Sequence, residues 1–408
     1  MSPMITVEEA LARVLASAKT PLDEEKVALE AAYGRVLARD LKAFRTQPPF
    51  PNSAMDGYAL RAGDASAPAT LMVVGESAAG RAFDWAVGPG EAVRIFTGAP
   101  MPDGTDAIVI QEEVRREGER IRLSTAVSPG DNLRPAGMDF HAGDTLIPAG
   151  RRLTPRDVAL AAAANHTTLA VRRRARVAIV ATGDELVAPG GTLGPAQIIA
   201  SNNFAVAGLV GAYGGVAIDL GIAVDELNAT KAAIAHARDA KADVLVTLGG
   251  ASVGDYDLVQ QALVSSGMEL GFWRIAMRPG KPLMHGKLGD MRVLGLPGNP
   301  TSSMVCSILF LRPLLRALHG EPEPGADPSQ PARLAVDLPA NGQRQDYMRA
   351  SLSQSADGIL VAAPVVNQDS SLVKTMARAE ALIVRPPHAE AAKAQDPCRV
   401  IPFHGLGV

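Results

Sequence analysis

Apolar segments that alternate with helix-like segments begin at Val177, and this pattern constrains the fold most. The predicted strands are residues 177–181, 216–222, 244–248 and 293–296, and the predicted helices are a segment near Phe204 and residues 229–240, 258–264 and 302–318. Strands that are apolar throughout, with no polar residue at every second position, are typical of a parallel sheet covered by helices on both faces. The sequence therefore predicts a doubly wound, mostly parallel α/β domain over residues 175–320.

Three loops follow predicted strands at the edge where open parallel sheets bind their ligands. They are residues 182–185 (Thr-Gly-Asp-Glu), 249–255 (Gly-Gly-Ala-Ser-Val-Gly-Asp) and 295–302 (Gly-Leu-Pro-Gly-Asn-Pro-Thr-Ser). Glycine lets backbone N–H groups approach an anion, and a helix N-terminus adds partial positive charge. One such loop would be an ordinary turn, whereas three in one sheet favour a phosphate-bearing ligand. The candidate binding residues in these loops are Gly249, Gly250, Ser252, Pro297, Gly298, Asn299 and Ser302.

Acidic and basic side chains accompany these loops. The acids expected near the sheet edge are Glu185, Asp225, Asp255 and Asp257. Carboxylates beside phosphates are typical of a magnesium site, with solvated surface acids or helix caps as the alternative. The segment 273–282 adds Arg274, Arg278 and Lys281 around a Pro-Gly turn, which suits an oxyanion unless it is an exposed strand end.

Composition argues against several function classes. The chain of 408 residues is 47% hydrophobic and 20% charged, which is typical of a folded protein with several domains. Its net charge of -3 argues against nucleic acid as the main partner, and neither a P-loop nor a strand-linked Gly-x-Gly-x-x-Gly motif is present. The cysteines and histidines lack zinc-ligand spacing. The apolar region 205–224 is interrupted by glycines and Asp219, so it predicts no membrane span. Without a secretory signal, the expected location is the cytoplasm.

The flanking regions predict further domains. Thr6 and Glu9 form a capping box for a first helix, and Thr20 before Pro21 predicts a second helix that ends at Gly34. Thr154 begins another helix, which is expected to return to the N-terminal ones. The complete expectation is a discontinuous helical N-terminal domain (1–43 and 141–174), an inserted β-rich domain (44–140), the α/β domain (175–320) and a C-terminal small β-barrel or sandwich (321–408).

A stiff turn in the inserted region carries one prominent carboxylate. Prolines 48, 49 and 51 precede the stretch 52–59 (Asn-Ser-Ala-Met-Asp-Gly-Tyr-Ala), in which Asp56 lies beside Gly57. Pro restricts the approaching backbone, and glycine allows a ligand to come close. By itself this is equally an Asx-type turn.

This stretch is followed in order by 94–100 (Arg-Ile-Phe-Thr-Gly-Ala-Pro), Thr-Gly-Asp-Glu-Leu at 182–186, and the two Gly-rich loops above. Together these motifs resemble the MoeA-type molybdopterin molybdenumtransferases, which are related to the E domain of gephyrin, over nearly the whole chain.

The resemblance implies a function and a set of site residues. Members of this family are cytosolic homodimers that bind adenylylated molybdopterin, use a divalent cation (usually Mg²⁺), insert molybdate and release AMP, with the cleft facing the partner subunit's second domain. Matching motif by motif assigns catalytic roles to Asp56, Thr97, Glu185, Asp225 and Asp257, with Glu185 and Asp257 as metal ligands. It assigns substrate contacts to Asp139, Lys281, Arg349 and Ser370, the last two for molybdate.

The chain departs from the family pattern at two positions. Arg274 and Arg278 stand where many relatives have lysine, so the charge is kept but a planar fork replaces a point charge. Two alternative functions follow from related proteins. The first is a molybdopterin adenylyltransferase, which would resemble the 177–320 region alone; the second is a non-catalytic, gephyrin-like scaffold. An adenylyltransferase and molybdoenzyme maturation factors are the expected protein partners.

Overall fold

The computed structural model describes residues 4–250 and 258–406. Its N-terminal half contains, in chain order, α1 (Val7–Ala16), β1 (Glu24–Ala28), β2 (Leu41–Lys42), β3 (Asn52–Ser53), β4 (Gly57–Leu60), β5 (Thr70–Ser77), β6 (Glu91–Ile95), β7 (Ala107–Ile110), β8 (Val114–Glu117), β9 (Arg120–Leu123), β10 (Leu133–Arg134), β11 (Thr145–Ile147), α2 (Pro155–Ala163) and β12 (Thr168–Arg172). The inserted region, predicted to be β-rich, contains a six-stranded sheet of order β7-β4-β6-β5-β9-β8.

The C-terminal half contains β13 (Arg176–Thr182), β14 (Leu186–Val187), β15 (Ile198–Ile199), α3 (Asn202–Ala212), β16 (Val216–Ala223), α4 (Leu227–Asp239), β17 (Val244–Leu248), α5 (Leu258–Ser265), β18 (Glu269–Phe272), β19 (Met277–Arg278), β20 (Met284–Leu288), β21 (Met291–Leu296), α6 (Pro300–Cys306), a π-helical turn (Ser307–Leu311), α7 (Arg312–Leu318), β22 (Gln330–Leu334), β23 (Gln345–Gln354), β24 (Leu360–Pro364), α8 (Val373–Arg378), β25 (Ala381–Arg385) and β26 (Pro397–Pro402).

A largely parallel sheet forms the centre of the α/β region, as the apolar pattern predicted. Its order is β16-β13-β17-β21-β20-β18, and the first four strands run parallel. Every residue of β17 is buried, because helices cover both faces. Helices α3 and α7 pack on one face, while α4 and α5 pack on the other. The antiparallel edge strands β18 and β20 were not predicted.

The C-terminal region closes into a small barrel, which confirms one of the two predicted forms. Its strands follow the order β23-β24-β22-β26-β25, and β25 pairs again with β23. Strand β19 of the α/β region adds to β23 in parallel through Met277 and Arg278. This pairing brings the Pro-Gly segment of the α/β region to the barrel.

The predicted helix between Thr20 and Gly34 was wrong. Glu24–Ala28 is a strand, followed by a short 3-10 turn at Leu29–Ala31. Strand β1 pairs antiparallel with β12, and this long-range pairing prevails over the local helix signals. Thr6 does cap α1, but Val7, Ala10 and Val14 of that helix pack into the α/β core.

The continuous helical segment Pro300–Leu318 is the only described helix long and apolar enough to cross a membrane. Its mean hydropathy is 1.3, and 83% of its apolar window is buried inside the protein. Burial of this extent is typical of a core helix, because a spanning helix presents its apolar surface to lipid.

Candidate functional site

Two adjoining cavities lie along the carboxyl edge of the parallel sheet. The larger has a volume of about 930 Å³ and is walled by the loops after β13, β17 and β21. The smaller, of about 540 Å³, lies between the α/β region and the barrel. Pro282, Pro297 and Asn299 line both cavities, so a single groove with two chambers runs across the domain junction.

The glycines of the larger cavity are required by their backbone geometry. Gly249 and Gly250 have φ of +97° and +63°, in the left-handed region that disfavours side chains. A Cβ on Gly249 would lie 2.7 Å from the carbonyl oxygen of Thr182, and one on Gly250 would lie 2.1 Å from a methyl group of Val259. Two of the three loops therefore pack backbone to backbone. Gly298 also lines this chamber, whereas Ser252 and Asp257 lie outside the described residues.

Carboxylates gather at one end of the larger cavity. Glu185 and Asp225 line it, and the backbone N–H of Asp225 donates to Asp184 Oδ1 over 3.0 Å. Burial, followed by the like charges of Asp184 and Glu185, raises the pKa of Asp225. A nearby cation would offset this repulsion. Among the described residues no three His, Cys, Asp or Glu side chains are grouped closely enough to form a complete metal site.

Apolar side chains also line the larger cavity, next to its carboxylates. Leu186, Ile198 and Ile199 line it, and the two isoleucines are 57% and 38% exposed. They belong to the small parallel pair β14–β15, which follows the first of the three loops. Carboxylates beside apolar side chains in one cavity suit an amphipathic ligand that carries a ring system and phosphate.

A buried arginine dominates the smaller cavity. Arg349 is 1% exposed, and its guanidinium donates to Thr301 Oγ1 at 3.3 Å and to the carbonyl oxygens of Asp369 at 2.9 Å and Asn367 at 3.4 Å. Burial lowers its pKa. All three acceptors are neutral, so the positive charge is not cancelled by direct pairing with them. A buried cation of this kind is a strong anchor for an oxyanion.

Ser370 lies beside Arg349 and is fixed from the α/β side. Its hydroxyl oxygen accepts from Asn299 Nδ2 over 2.9 Å, and its carbonyl oxygen accepts from the backbone N–H of Thr301 over 3.0 Å. Lys281 and Ser302 line the same chamber. Arg349 and Ser370, the residues predicted to bind molybdate, thus lie in one chamber with the Pro-Gly-Lys segment and the Asn-Pro-Thr-Ser loop.

The two arginines of the segment 273–282 lie in different environments. Arg278 lines the smaller cavity and forms an ion pair with Asp346 of the barrel; this hydrogen bond raises its pKa. Arg274 lines neither cavity, and its guanidinium lies 4.9 Å from the ring centroid of Trp273. Arg278 is therefore available to a ligand in the smaller cavity, whereas Arg274 stacks on an aromatic ring away from both cavities.

Asp56, Thr97 and Asp139 line neither cavity of this chain, although Asp56 and Thr97 lie together in the inserted region. Asp56 Oδ1 accepts from the backbone N–H of Thr97 over 2.8 Å and from its hydroxyl over 2.9 Å. These hydrogen bonds, the backbone one foremost, lower the pKa of Asp56. Asp139 is exposed, and its backbone N–H donates to the carbonyl oxygen of Gln47 over 3.0 Å.

Sequence reasoning missed several residues of the smaller chamber. Arg344, Gln368 and Asp369 all line it. Gln368 and Asp369 lie next to Ser370 in the sequence, but no spacing or composition marks them. Only the closed barrel brings their loop against β23.

Three family models match successive stretches of the chain, and together they include the residues of both cavities. Residues 5–165 match the MoeA N-terminal region (domain I and II), residues 178–317 match a probable molybdopterin binding domain, and residues 331–403 match the MoeA C-terminal region (domain IV). A molybdopterin molybdenumtransferase of Haemophilus influenzae is 34% identical over 99% of this chain and 100% of its own. One from Nostoc is 40% identical over 81% of this chain and 77% of its own. A molybdopterin biosynthesis MoeA protein from Pyrococcus horikoshii is similar in structure, with a TM-score of 0.85, 31% identity and coverage of 98% of this chain and 99% of that one.

Proposed function

Because the chain belongs to the MoeA family of molybdopterin molybdenumtransferases, we propose that it inserts molybdenum into molybdopterin during molybdenum cofactor synthesis. The observation that carries this proposal is the groove with two chambers. One chamber suits a ring-bearing phosphate ligand and the other suits an oxyanion, and three residues line both. A reaction between an organic phosphate and a metal oxyanion needs this adjacency.

The substrate that we propose for the larger chamber is adenylylated molybdopterin, with AMP as the product released. The Gly-rich loops would hold its phosphates, and the apolar wall with Ile198 and Ile199 would contact a ring. The alternative of an adenylyltransferase requires ATP consumption and an adenylylated product. It is tested directly in the assay described below.

A magnesium ion fits the acidic end of this chamber. Glu185 and Asp225 would provide the carboxylate oxygens that Mg²⁺ prefers, and burial, followed by the like charge of Asp184, raises the pKa of Asp225. When bound, the ion would neutralise charge on the substrate phosphates. Asp257 is the remaining proposed Mg²⁺ ligand, and this proposal rests on its match to the family motif. Asp225 would also hold its neighbour Asp184 in place through its backbone N–H.

Molybdate is the oxyanion that we propose for the smaller chamber. Arg349 and Lys281 would supply positive charge, and the hydroxyls of Ser370 and Ser302 would donate hydrogen bonds. Arg278 would contribute its charge only in part, because Asp346 already pairs with it. The same ion pair joins the α/β region to the barrel.

A homodimer would explain the position of the inserted-region residues. Asp56 and Asp139 do not face the groove of their own chain, so we propose that they serve the groove of a partner copy. Thr97 would hold the Asp56 carboxylate ionised and oriented. We also propose a cytoplasmic location and hand-over contacts with an adenylyltransferase and with molybdoenzyme maturation factors.

The experiment that tests this function supplies purified protein with adenylylated molybdopterin, Mg²⁺ and molybdate. The expected result is AMP release, together with a product that activates a cofactor-free molybdoenzyme. A parallel reaction with molybdopterin and ATP is expected to yield no adenylylated product. Formation of that product without molybdate-dependent AMP release would identify an adenylyltransferase instead. Partner pulldown without either reaction would favour a scaffold.

A further inference from the structure

The side-chain amide of Gln368 is inserted into the hydrogen-bond ladder of the barrel beside Arg349. Its Oε1 accepts from the backbone N–H of Arg349 over 3.0 Å. Its Nε2 donates to the carbonyl oxygen of Val365 over 3.0 Å and to that of Arg349 over 2.9 Å. The register of β23 with β24 ends at Ala350 and Pro364, and one further direct bond follows, from the backbone N–H of Val365 to the carbonyl oxygen of Arg349 over 2.9 Å. Gln368 therefore joins two main chains at the point where direct strand pairing stops.

The loop held in this way contributes Gln368, Asp369 and Ser370 to the lining of the oxyanion chamber and contacts its buried arginine. The carbonyl oxygens of Asn367 and Asp369 accept from the Arg349 guanidinium, and Ser370 follows directly. Ser370 is in turn connected to Asn299 and Thr301 of the α/β region. Movement of this loop would change the position of the guanidinium and of the serine hydroxyl together.

Gln368 lines the chamber, but its amide hydrogens are already used. A primary amide has two N–H donors, and both are directed to backbone carbonyl oxygens of Val365 and Arg349. Its Oε1 is an acceptor and would repel an oxyanion. Any favourable effect of this residue on anion binding must therefore act through Arg349 and Ser370.

We propose that Gln368 is a positioning residue of the oxyanion chamber, which sets molybdate affinity by fixing the loop that carries Ser370 and orients Arg349. This inference rests on the proposed function, because it takes molybdate as the occupant. Glutamine is suited to the position since it provides one acceptor and two donors on a single planar group. Methionine of similar length would fill the space without making any of these hydrogen bonds.

The expected effect of Gln368→Met is a selective change in molybdate use. The half-saturating molybdate concentration for AMP release should rise about tenfold, which corresponds to about 1.4 kcal/mol at 25 °C. The maximal rate at saturating molybdate and the KM for adenylylated molybdopterin should stay close to wild type. Gln368→Glu should raise the molybdate requirement further, because it loses both donors and adds negative charge beside the anion.

Ser355→Ala is the matched control for general loss of barrel stability. The Ser355 hydroxyl accepts from the backbone N–H of Ile359 over 3.1 Å, at the opposite end of the same hairpin, and its hydrogen has two acceptors within reach, Asp357 Oδ1 and the carbonyl oxygen of Ile359. Ser355 does not line either cavity. This variant should lower the melting temperature without changing the molybdate requirement.

The outcomes separate the inference from the function on which it rests. Wild-type protein that releases AMP without any dependence on molybdate, or releases none, overturns the proposed function and the inference with it. Wild type that depends on molybdate, together with a Gln368→Met variant of unchanged molybdate requirement, overturns the inference alone. An equal shift in Ser355→Ala at equal loss of melting temperature also overturns it, because Gln368 would then act only through stability.

Discussion

Replacing Arg349 by alanine is expected to raise the molybdate requirement while leaving binding of adenylylated molybdopterin nearly intact. The guanidinium lines the smaller chamber and not the larger one, so its loss should affect one ligand selectively. The structure excludes the simpler view of Arg349 as a surface residue on a strand, because only 1% of it is exposed.

The substitution is expected to have two effects, one on molybdate binding and one on the free energy of unfolding. A hydrogen bond to a charged group contributes about 1.5–3 kcal/mol, so losing one should weaken molybdate binding by roughly tenfold to a hundredfold. The substitution also leaves the hydroxyl of buried Thr301 without its Arg349 donor, whereas the carbonyl oxygens of Asp369 and Asn367 belong to exposed residues. An unsatisfied buried polar group costs about 1–3 kcal/mol, so the free energy of unfolding should fall as well.

Arg385→Ala separates these two effects. Arg385 is 9% exposed in the same barrel and donates to the carbonyl oxygens of Pro339 and Glu390, but it lines neither cavity. It should reproduce the loss of stability without the change in molybdate requirement. Arg349→Lys should keep the charge but lose the fork that reaches three acceptors, and is expected to fall between wild type and alanine.

The assay is titration of molybdate in the AMP-release reaction, with ligand binding and thermal unfolding measured on each variant. Equal weakening of both ligands, or of neither, would contradict a separate molybdate chamber at Arg349. A shift of equal size in Arg385→Ala would show that stability alone accounts for the effect.

Three further predictions concern carboxylates. Asp56→Ala should melt like wild type but release AMP much more slowly, since Asp56 lies outside the cores and its carboxylate accepts its hydrogen bonds from exposed Thr97; wild-type rates would remove it from the site. Glu185→Gln should raise the Mg²⁺ concentration needed for half-maximal AMP release, and an unchanged titration would exclude it as a ligand. Asp225→Asn should raise the melting temperature at neutral pH without Mg²⁺. The raised pKa of Asp225 means that its protonated form stabilises the fold at low pH, and that this stability is lost as pH rises through the folded-state pKa. The gain should vanish below the ordinary aspartate pKa of about 3.9; a gain of equal size at that pH would refute the charge argument.

The α/β fold could be predicted from sequence because each of its signals is local. Strands β13 and β17 are apolar except at Arg176, Thr182 and Thr247, and residues in the loops after them need only follow a strand to reach the same edge. The lining of the larger cavity by Glu185, Gly249 and Asn299 confirms that this reasoning brings distant loops together.

The error at Glu24–Ala28 shows where local signals fail. Thr20 and Pro21 are ordinary helix-start residues, and Gly34 is an ordinary stop. The strand forms because β12, far along the chain, offers a pairing edge, and Glu24 and Glu25 then form ion pairs with Arg39 and Arg35. No periodicity within the segment carries this information.

The oxyanion chamber depends on similar long-range closure. Arg349 can be buried only because the loop of Asn367 and Asp369 returns to it through the barrel. The family motifs marked Arg349 and Ser370, but not Gln368, whose hydrogen bonds are mostly to main chain. Any residue type can provide backbone groups, so the partners of Gln368 left no pattern in the sequence.

Asn299 joins the two chambers through the direction of one hydrogen bond. Its side-chain nitrogen donates to Ser370 Oγ over 2.9 Å, while Asn299 itself lines both cavities. Since the serine oxygen accepts this bond, its own hydrogen is free to be donated to another acceptor, and an oxyanion in the smaller chamber is one. A ligand in the larger chamber that contacts Asn299 would therefore alter the hydrogen bond that Asn299 donates to the Ser370 hydroxyl. Through this single side chain, a ligand in either chamber would change the affinity of the other chamber for its ligand by the same factor, without movement of a domain.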